Sequence, residues 1–368
     1  MKPAIIKGWD IQKSDYMKAH EEGNLVKLLI DLSNVCNLSC AGCFTKRIDG
    51  KWNNKSKKRL SNEISYETQI GLLEEAAELG VKTVDIVGAG EPTLDPNFPE
   101  IIDKINDLGM HAVVFTHGVS KVLDETKNLA DRNISFFVKL WSRNPELQKR
   151  YVSGSISDYS RRRDEALERL IRAGLSNGKE VSIDGIDYKT TRLGADVLVM
   201  RSNYEEIPEL LEFCRENNIM PIIKTFIPEG PTRFDQAQNI KAYSSEHLAQ
   251  LRRDEVTPEE FNVLRKRLVI LDKTEFDIPE MKTFYPQSVK CTQSMASLYV
   301  TITGEIKSCV GTHFSYGTYE AGNGMLKKAL QERIEKVGFG CVPRVQDARE
   351  RNLPIEKDLL AIYTEGMK

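Results

Sequence analysis

From Leu25 onward, short apolar runs alternate with segments whose apolar residues recur at helical spacing. Leu25 to Leu32 is apolar apart from Lys27 and Asp31 and has the length of a strand. Tyr66 to Leu79 carries Ile70, Leu73, Ala76 and Ala77 at helical spacing and stops at Gly80. The pattern then repeats. Val81 to Val87 reads as a strand, Phe98 to Leu108 as a helix closed by Gly109, and His111 to Phe115 as a strand. Lys121 to Asp131 reads as a helix and Ile134 to Trp141 as a strand. Arg161 to Ala173 reads as a helix with Ala166, Leu167, Leu170 and Ile171 on one face. Leu193 to Met200, Ile207 to Asn217 and Pro221 to Ile227 continue as strand, helix and strand. About six alternations predict an α/β fold, with a parallel sheet and helices outside it. A complete eight-unit barrel takes about 250 residues. The roughly 210 residues from Leu25 to Arg233 fit a partial (β/α)6 barrel better, open enough to admit a large substrate.

The flanks break this rhythm. Residues 1–24 form a polar, helical arm, and residues 234–285 a charged, helical connector. In 286–368, Ser297 to Ile306 reads as a hairpin with Gly304 at its turn, flanked by Cys291 and Cys309, and Gly324 to Val337 as a helix. The expected division is therefore 1–24 arm, 25–233 barrel, 234–285 connector and 286–368 a small C-terminal domain.

Composition narrows the function classes. With 40% hydrophobic and 29% charged residues, the 368-residue chain resembles an ordinary globular protein. A net charge of −2 gives no global pull toward nucleic acid or an anionic membrane. No apolar run approaches the ~20 residues of a membrane span, and Met1 to Asp10 has no secretory pattern. Seven cysteines, unevenly spread, do not make a disulfide scaffold. A cytoplasmic, reducing location is expected, with the clustered cysteines used for metal or catalysis.

Cys36-Asn-Leu-Ser-Cys40-Ala-Gly-Cys43 is the strongest signal. Three thiolates on one loop can hold one metal cluster. Three ligands leave the fourth iron of a [4Fe–4S] cluster open to a cosubstrate, by the logic of catalytic zinc sites. The loop follows the first strand, at the end where a barrel keeps its chemistry. The alternatives are structural zinc, which wants a fourth ligand that is absent nearby, or thiols with no metal.

The spacing C-x3-C-x2-C after a first strand resembles the signature of the radical S-adenosylmethionine (SAM) superfamily, with Gly42 where an aromatic residue is common and Phe44 just after. The resemblance implies that SAM binds the open iron through its amino and carboxylate groups. One electron then cleaves the sulfonium to methionine and a 5′-deoxyadenosyl radical, which takes a hydrogen atom from the substrate. Val87-Gly88-Ala89-Gly90-Glu91-Pro92-Thr93 resembles the family's Gly-Gly-Glu element, with Ala89 replacing the first glycine. Gly90, Glu91 and Pro92 are thereby implied to help hold the methionine moiety. Alone, Gly-Glu-Pro is also ordinary turn chemistry. Thr116-His117-Gly118 resembles a Thr-Asn-Gly element, with His117 as a departure, or is a strand-ending turn. Lys139 and Ser142 after the fourth strand, and Arg201 and Asn203 after the fifth, are candidate contacts to the SAM carboxylate or ribose. Cys214, in Leu210-Leu211-Glu212-Phe213-Cys214, reads as core packing.

Cys291, Cys309 and Cys341 resemble the ligands of the short, twitch-type auxiliary domain; the longer SPASM form has a denser run of cysteines that this chain lacks. The resemblance implies a second [4Fe–4S] cluster, its fourth iron open to substrate or filled by a side chain such as His313. Three unrelated thiols are the alternative. Twitch relatives mostly modify small molecules such as sugars, cyclitols and nucleotides. A small polar metabolite is therefore the first expectation, with oxidation, epimerisation or C–C bond formation as outcomes, and a peptide is the second. From another class, the chain could be an iron–sulfur electron carrier or a zinc-binding module. The basic residues Lys46, Arg47, Lys51, Lys55, Lys57, Lys58 and Arg59, with Arg161 to Arg163, read as a solvated face. They could also meet a phosphorylated substrate or an electron donor such as flavodoxin or ferredoxin. No nucleic acid is expected, because no aromatic pattern accompanies them.

Overall fold

A computed structural model of the chain describes residues 1–11, 13–41, 43, 58–124, 129–154, 156, 158–183, 185–226, 245–278, 297–312 and 314–337. Cys291, Cys341, His313, Gly42, Phe44 and most of the basic loop lie outside the described residues, as do 125–128 of the helix expected over Lys121 to Asp131.

In chain order the elements are β1 (Ala4–Ile6), α1 (Lys13–Glu22), β2 (Lys27–Asp31), β3 (Leu38–Cys40), α2 (Tyr66–Glu78), β4 (Thr83–Gly88), α3 (Phe98–Asp107) and β5 (His111–Thr116). Next come α4 (Lys121–Asp124), β6 (Ile134–Lys139), α5 (Pro145–Tyr151), β7 (Val152–Gly154), α6 (Tyr159–Arg172), β8 (Glu180–Ile183), β9 (Ile186–Thr191) and β10 (Leu193–Leu198). The last are α7 (Ile207–Glu216), β11 (Met220–Lys224), α8 (Ser245–Asp254), α9 (Pro258–Glu275), β12 (Ser297–Val300), β13 (Ile306–Lys307) and α10 (Met325–Val337).

Eight strands form the main sheet, in the order β11-β10-β6-β5-β4-β2-β12-β13. Neighbours are parallel except for β12 and β13. The six strands from β2 to β11, with helices after each, make the expected partial TIM-like barrel. Their apolar character is near-continuous because both faces are covered. Leu28, Ile30, Val84, Ile86, Val114 and Phe136 face the helices in one large core. Val113, Phe137, Met220 and Ile222 face inward. Each such side chain contributes about 1.5–3 kcal/mol on full burial, so the six-strand pattern fixes the architecture. Caps set the helix starts: Ser65 Oγ accepts from Thr68 N at 3.2 Å ahead of α2.

Three features depart from expectation. The N-terminal arm is not wholly helical: β1 pairs parallel with β9. Ala4 and Ile6 pack with the inner face beside Trp9, which meets Phe137 edge-on with ring centroids 5.1 Å apart. Trp9 covers Lys27 at 4.1 Å, over a fully buried Lys27–Asp85 ion pair of 3.2 Å. The β8–β9 hairpin was also unforeseen, because β8, Glu-Val-Ser-Ile, alternates over only four residues and none of them is buried. Finally, β12 lies parallel to β2, Leu298 opposite Leu28, so the predicted C-terminal hairpin continues the barrel sheet.

Candidate active site

Residues 32–35 leave the end of β2 and cross the Gly90-Glu91 turn that follows β4. Gly90 N donates to Ser33 O at 2.9 Å, and Glu91 N to Val35 O at 2.8 Å. A Cβ on Gly90 would stand 2.2 Å from Val35 O, so only glycine allows this approach. Beyond the crossing, β3 pairs antiparallel with β7, and Ala41 N donates to Tyr151 O at 2.8 Å. The cysteine loop is thereby fastened on two sides.

Cys40 is buried in an apolar patch with Leu38, Trp141, Tyr151 and Tyr159, and half-buried Cys36 and Cys43 pack against the same patch. Leu38 N donates to Cys36 Sγ at 3.5 Å. Burial pushes the Cys36 thiol up to about 12; the Leu38 N–H opposes this, while Cys40, Glu91 and Cys43 add to it. Lys139, at the end of β6, brings its Nζ 3.8 Å from Cys40 Sγ and 5.0 Å from the Trp141 ring. Burial works against its charge, yet Cys40, Tyr159, Asp196 and Cys43 hold the ammonium above its ordinary value. Three thiols sharing one patch beside a cation suit an anionic thiolate-bound cluster. Among the described residues, no three His, Cys, Asp or Glu are grouped to hold a single metal ion.

Glu91 is the centre of a buried knot. Its Oε1 accepts from Thr116 Oγ1 at 2.5 Å and from Thr93 Oγ1 at 2.6 Å; its Oε2 accepts from His117 N at 2.8 Å. Both carboxylate oxygens are committed inside the protein, which leaves the turn's backbone to meet a ligand. Pro92 opens the short 3-10 turn Pro92–Leu94 after Glu91. Thr116 serves this knot as well, accepting from Gly118 N at 3.0 Å.

The other expected contacts are not gathered beside the cysteines through their polar atoms. Ser142 Oγ donates to Glu206 Oε2 at 2.5 Å, and its carbonyl accepts from Arg163 Nη2 at 3.0 Å. Arg201 pairs with Glu260 at 2.9 Å on the exposed side, where Glu260 also caps α9. Asn203 Nδ2 donates to Trp141 O at 2.6 Å and Leu198 O at 2.8 Å. These three hold loops in place. Cys214 is fully buried in the core, its thiol pushed up to about 12 by burial. Cys309 is half-buried just after β13.

Sequence reasoning missed the inner polar groups. Tyr299 OH donates to Asp31 Oδ2 at 2.5 Å. Burial pushes Asp31 up to about 8, with Tyr299 and Lys307 pulling it back. Lys224 pairs with Asp196 at 2.7 Å, its Nζ 5.7 Å from the Phe115 ring. Their only sequence signal was a charged residue near a strand's C-terminal end.

The chain matches the model of the Radical SAM superfamily over residues 30–239 and belongs to that superfamily. It is an enzyme of that class, and the class implies SAM and a [4Fe–4S] cluster. It is similar to a probable GTP 3′,8-cyclase of Methanocaldococcus jannaschii, 26% identical over 288 residues, 77% of this chain and 84% of that protein. It also resembles an S-adenosylmethionine-dependent nucleotide dehydratase of Flammeovirga pacifica, 40% identical over 83 residues, 23% of this chain and 27% of that protein. Streptococcus suis SuiB, solved bound to S-adenosylmethionine, shares the fold at a TM-score of 0.57 and 16% identity, over 90% of this chain and 71% of that one. No helix among the described residues is long and apolar enough to cross a membrane.

Proposed function

We propose that this enzyme cleaves SAM reductively at a cluster held by Cys36, Cys40 and Cys43, and takes a hydrogen atom from a small polar metabolite inside the barrel. The carrying observation is the placement of the three cysteines in one patch beside Lys139, just beyond the C-terminal ends of the parallel strands. When bound, the cluster supplies the electron that breaks the SAM sulfonium. The Gly90-Glu91-Pro92 turn offers backbone acceptors to the methionine ammonium, and Lys139 balances negative charge at Cys40. The apolar patch keeps water from the radical.

A sugar-, cyclitol- or nucleotide-like substrate is supported by the inner-face pairs Asp31–Tyr299 and Asp196–Lys224. It is supported too by relatives named for nucleotide chemistry. Oxidation, epimerisation and C–C bond formation all begin with this abstraction. The peptide alternative draws on a fold likeness: SuiB is also solved with its precursor peptide SuiA. We assign Cys291, Cys309 and Cys341 to an auxiliary [4Fe–4S] cluster, the reductant to a flavodoxin or ferredoxin, and the setting to the cytoplasm.

Anaerobic incubation with deuterated candidate metabolites, reading label in 5′-deoxyadenosine, tests the substrate class. Transfer from a peptide alone would replace it. About eight irons per chain are expected for two clusters; zinc alone would sink the assignment. Cys40→Ala should abolish SAM cleavage, whereas Cys214→Ala should leave it largely intact.

A further inference from the structure

His117 is the residue at which the Thr-His-Gly element departs from the family pattern, and its ring stands beside the Glu91 knot, with Nε2 3.6 Å from Glu91 Oε2. The imidazole is fully enclosed. Its Nδ1 accepts from Val119 N at 3.0 Å, so the proton sits on Nε2. Nε2–H then donates to Asn37 Oδ1 at 2.8 Å. Asn37 lies between Cys36 and Leu38, whose N–H is bonded to Cys36 Sγ.

We propose that His117 is a positioning residue that fixes the Cys36 arm of the cysteine loop through Asn37, and thereby sets how the cluster presents its open iron to SAM. The strut is rigid before it reaches Asn37. The His117 N–H is held by Glu91 Oε2, the His117 carbonyl accepts from Tyr159 OH at 2.9 Å, and the ring packs edge-on to Tyr159. Burial disfavours the charged imidazolium, and Glu91 pulls the other way. Losing the strut removes the His117 hydrogen bond from Asn37 and loosens the turn between Cys36 and Leu38, where Leu38 N–H meets Cys36 Sγ. Groups one bond removed from metal ligands typically change affinity or activity by about 10–100-fold.

The inference rests on the reading of Cys36, Cys40 and Cys43 as cluster ligands. The test uses anaerobically reconstituted holoenzyme with SAM as the probe. The readouts are the electron paramagnetic resonance spectrum of the reduced cluster with and without SAM, the KM for SAM, and the melting temperature. His117→Ala is expected to alter the SAM-induced spectral change and to raise KM by about tenfold or more. His117→Gln, whose amide nitrogen reaches the place of Nε2, restores both. Asn37→Ala reproduces the alanine spectrum, and the double variant is no worse than either single. An unchanged spectrum and KM in His117→Ala overturns the proposal. So does a lowered melting temperature alone, or a change that Asn37→Ala does not reproduce. If His117→Ala does not fold, Asn37→Ala and His117→Gln decide. A wild-type protein without iron or signal refutes the ligand reading instead.

Discussion

Ala89 and Gly90 are neighbours whose exchange should have opposite effects. Ala89 holds φ at 75°, in the left-handed region that costs a non-glycine residue about 1–2 kcal/mol. Ala89→Gly, which restores the family's glycine, should leave activity intact and be neutral or stabilising by about 1 kcal/mol, once the entropy of the added glycine is counted. Gly90→Ala drives a methyl into Val35 O. It should cost about 1–3 kcal/mol and detach the cysteine loop from the turn, with loss of SAM cleavage. Thermal melts and 5′-deoxyadenosine assays separate the two. Asp31 makes a pH prediction. Its folded-state affinity for a proton is raised from 3.8 to about 8, so between those values the folded chain binds more protons than the unfolded one. Stability from this group is therefore lost as pH rises toward 8. Asp31→Asn should gain on the wild type in denaturant titrations as pH is raised from 5 to 8. A difference independent of pH would show that Asp31 is not held protonated. Asp31 read only as an interruption of its strand, and its link to Tyr299 was not legible, since 268 residues separate the partners and no local pattern joins them.

At the scale of elements, the β/α alternation was legible because each strand is buried on both faces and each helix carries one apolar stripe. Three-residue β1 is too short to show a period, and β8 has too little buried surface. The cysteine loop was legible from spacing alone, but what fastens it was not: Glu91, Thr116 and His117 meet only through the sheet. The same holds for Lys27, which read as an interruption of its strand. It is instead half of a buried ion pair whose partner, Asp85, is pushed up to about 6 by burial against the pull of Lys27. Lys27→Met should cost about 3–5 kcal/mol because it leaves a buried carboxylate uncompensated. The loss should be smaller in mild acid, where Asp85 takes up a proton. Adding Asp85→Leu should recover most of it. Urea melts of the wild type and both variants at two pH values would measure this; equal losses in the single and double variants would show that packing, not charge, dominates.

Across the whole molecule, the sheet does not stop where the β/α alternation stops. The sequence suggested a boundary near residue 286, because alternation ends and cysteines reappear. Yet β12 is hydrogen-bonded to β2 over Ser297 to Val300, and Tyr299 reaches the Asp31 carboxyl. Behind the sheet, Leu298, Val300, Ile306, Leu326 and Leu330 join the same core as Leu28 and Ile30. Removing residues 286–368 would therefore bare the edge of β2, expose apolar core surface and leave Asp31 without its hydrogen-bond donor. An uncovered parallel edge of this kind invites pairing with other chains. The truncated chain should accumulate as aggregate instead of a folded barrel. In the full-length chain, the tryptophan fluorescence of Trp9 and Trp141 should change together with far-ultraviolet dichroism in one transition. A soluble truncated chain with an unchanged melting midpoint would mean that β12 merely rests on the barrel. Aggregation together with a single full-length transition would mean that the segment carrying Cys309 completes the sheet that carries the proposed SAM site.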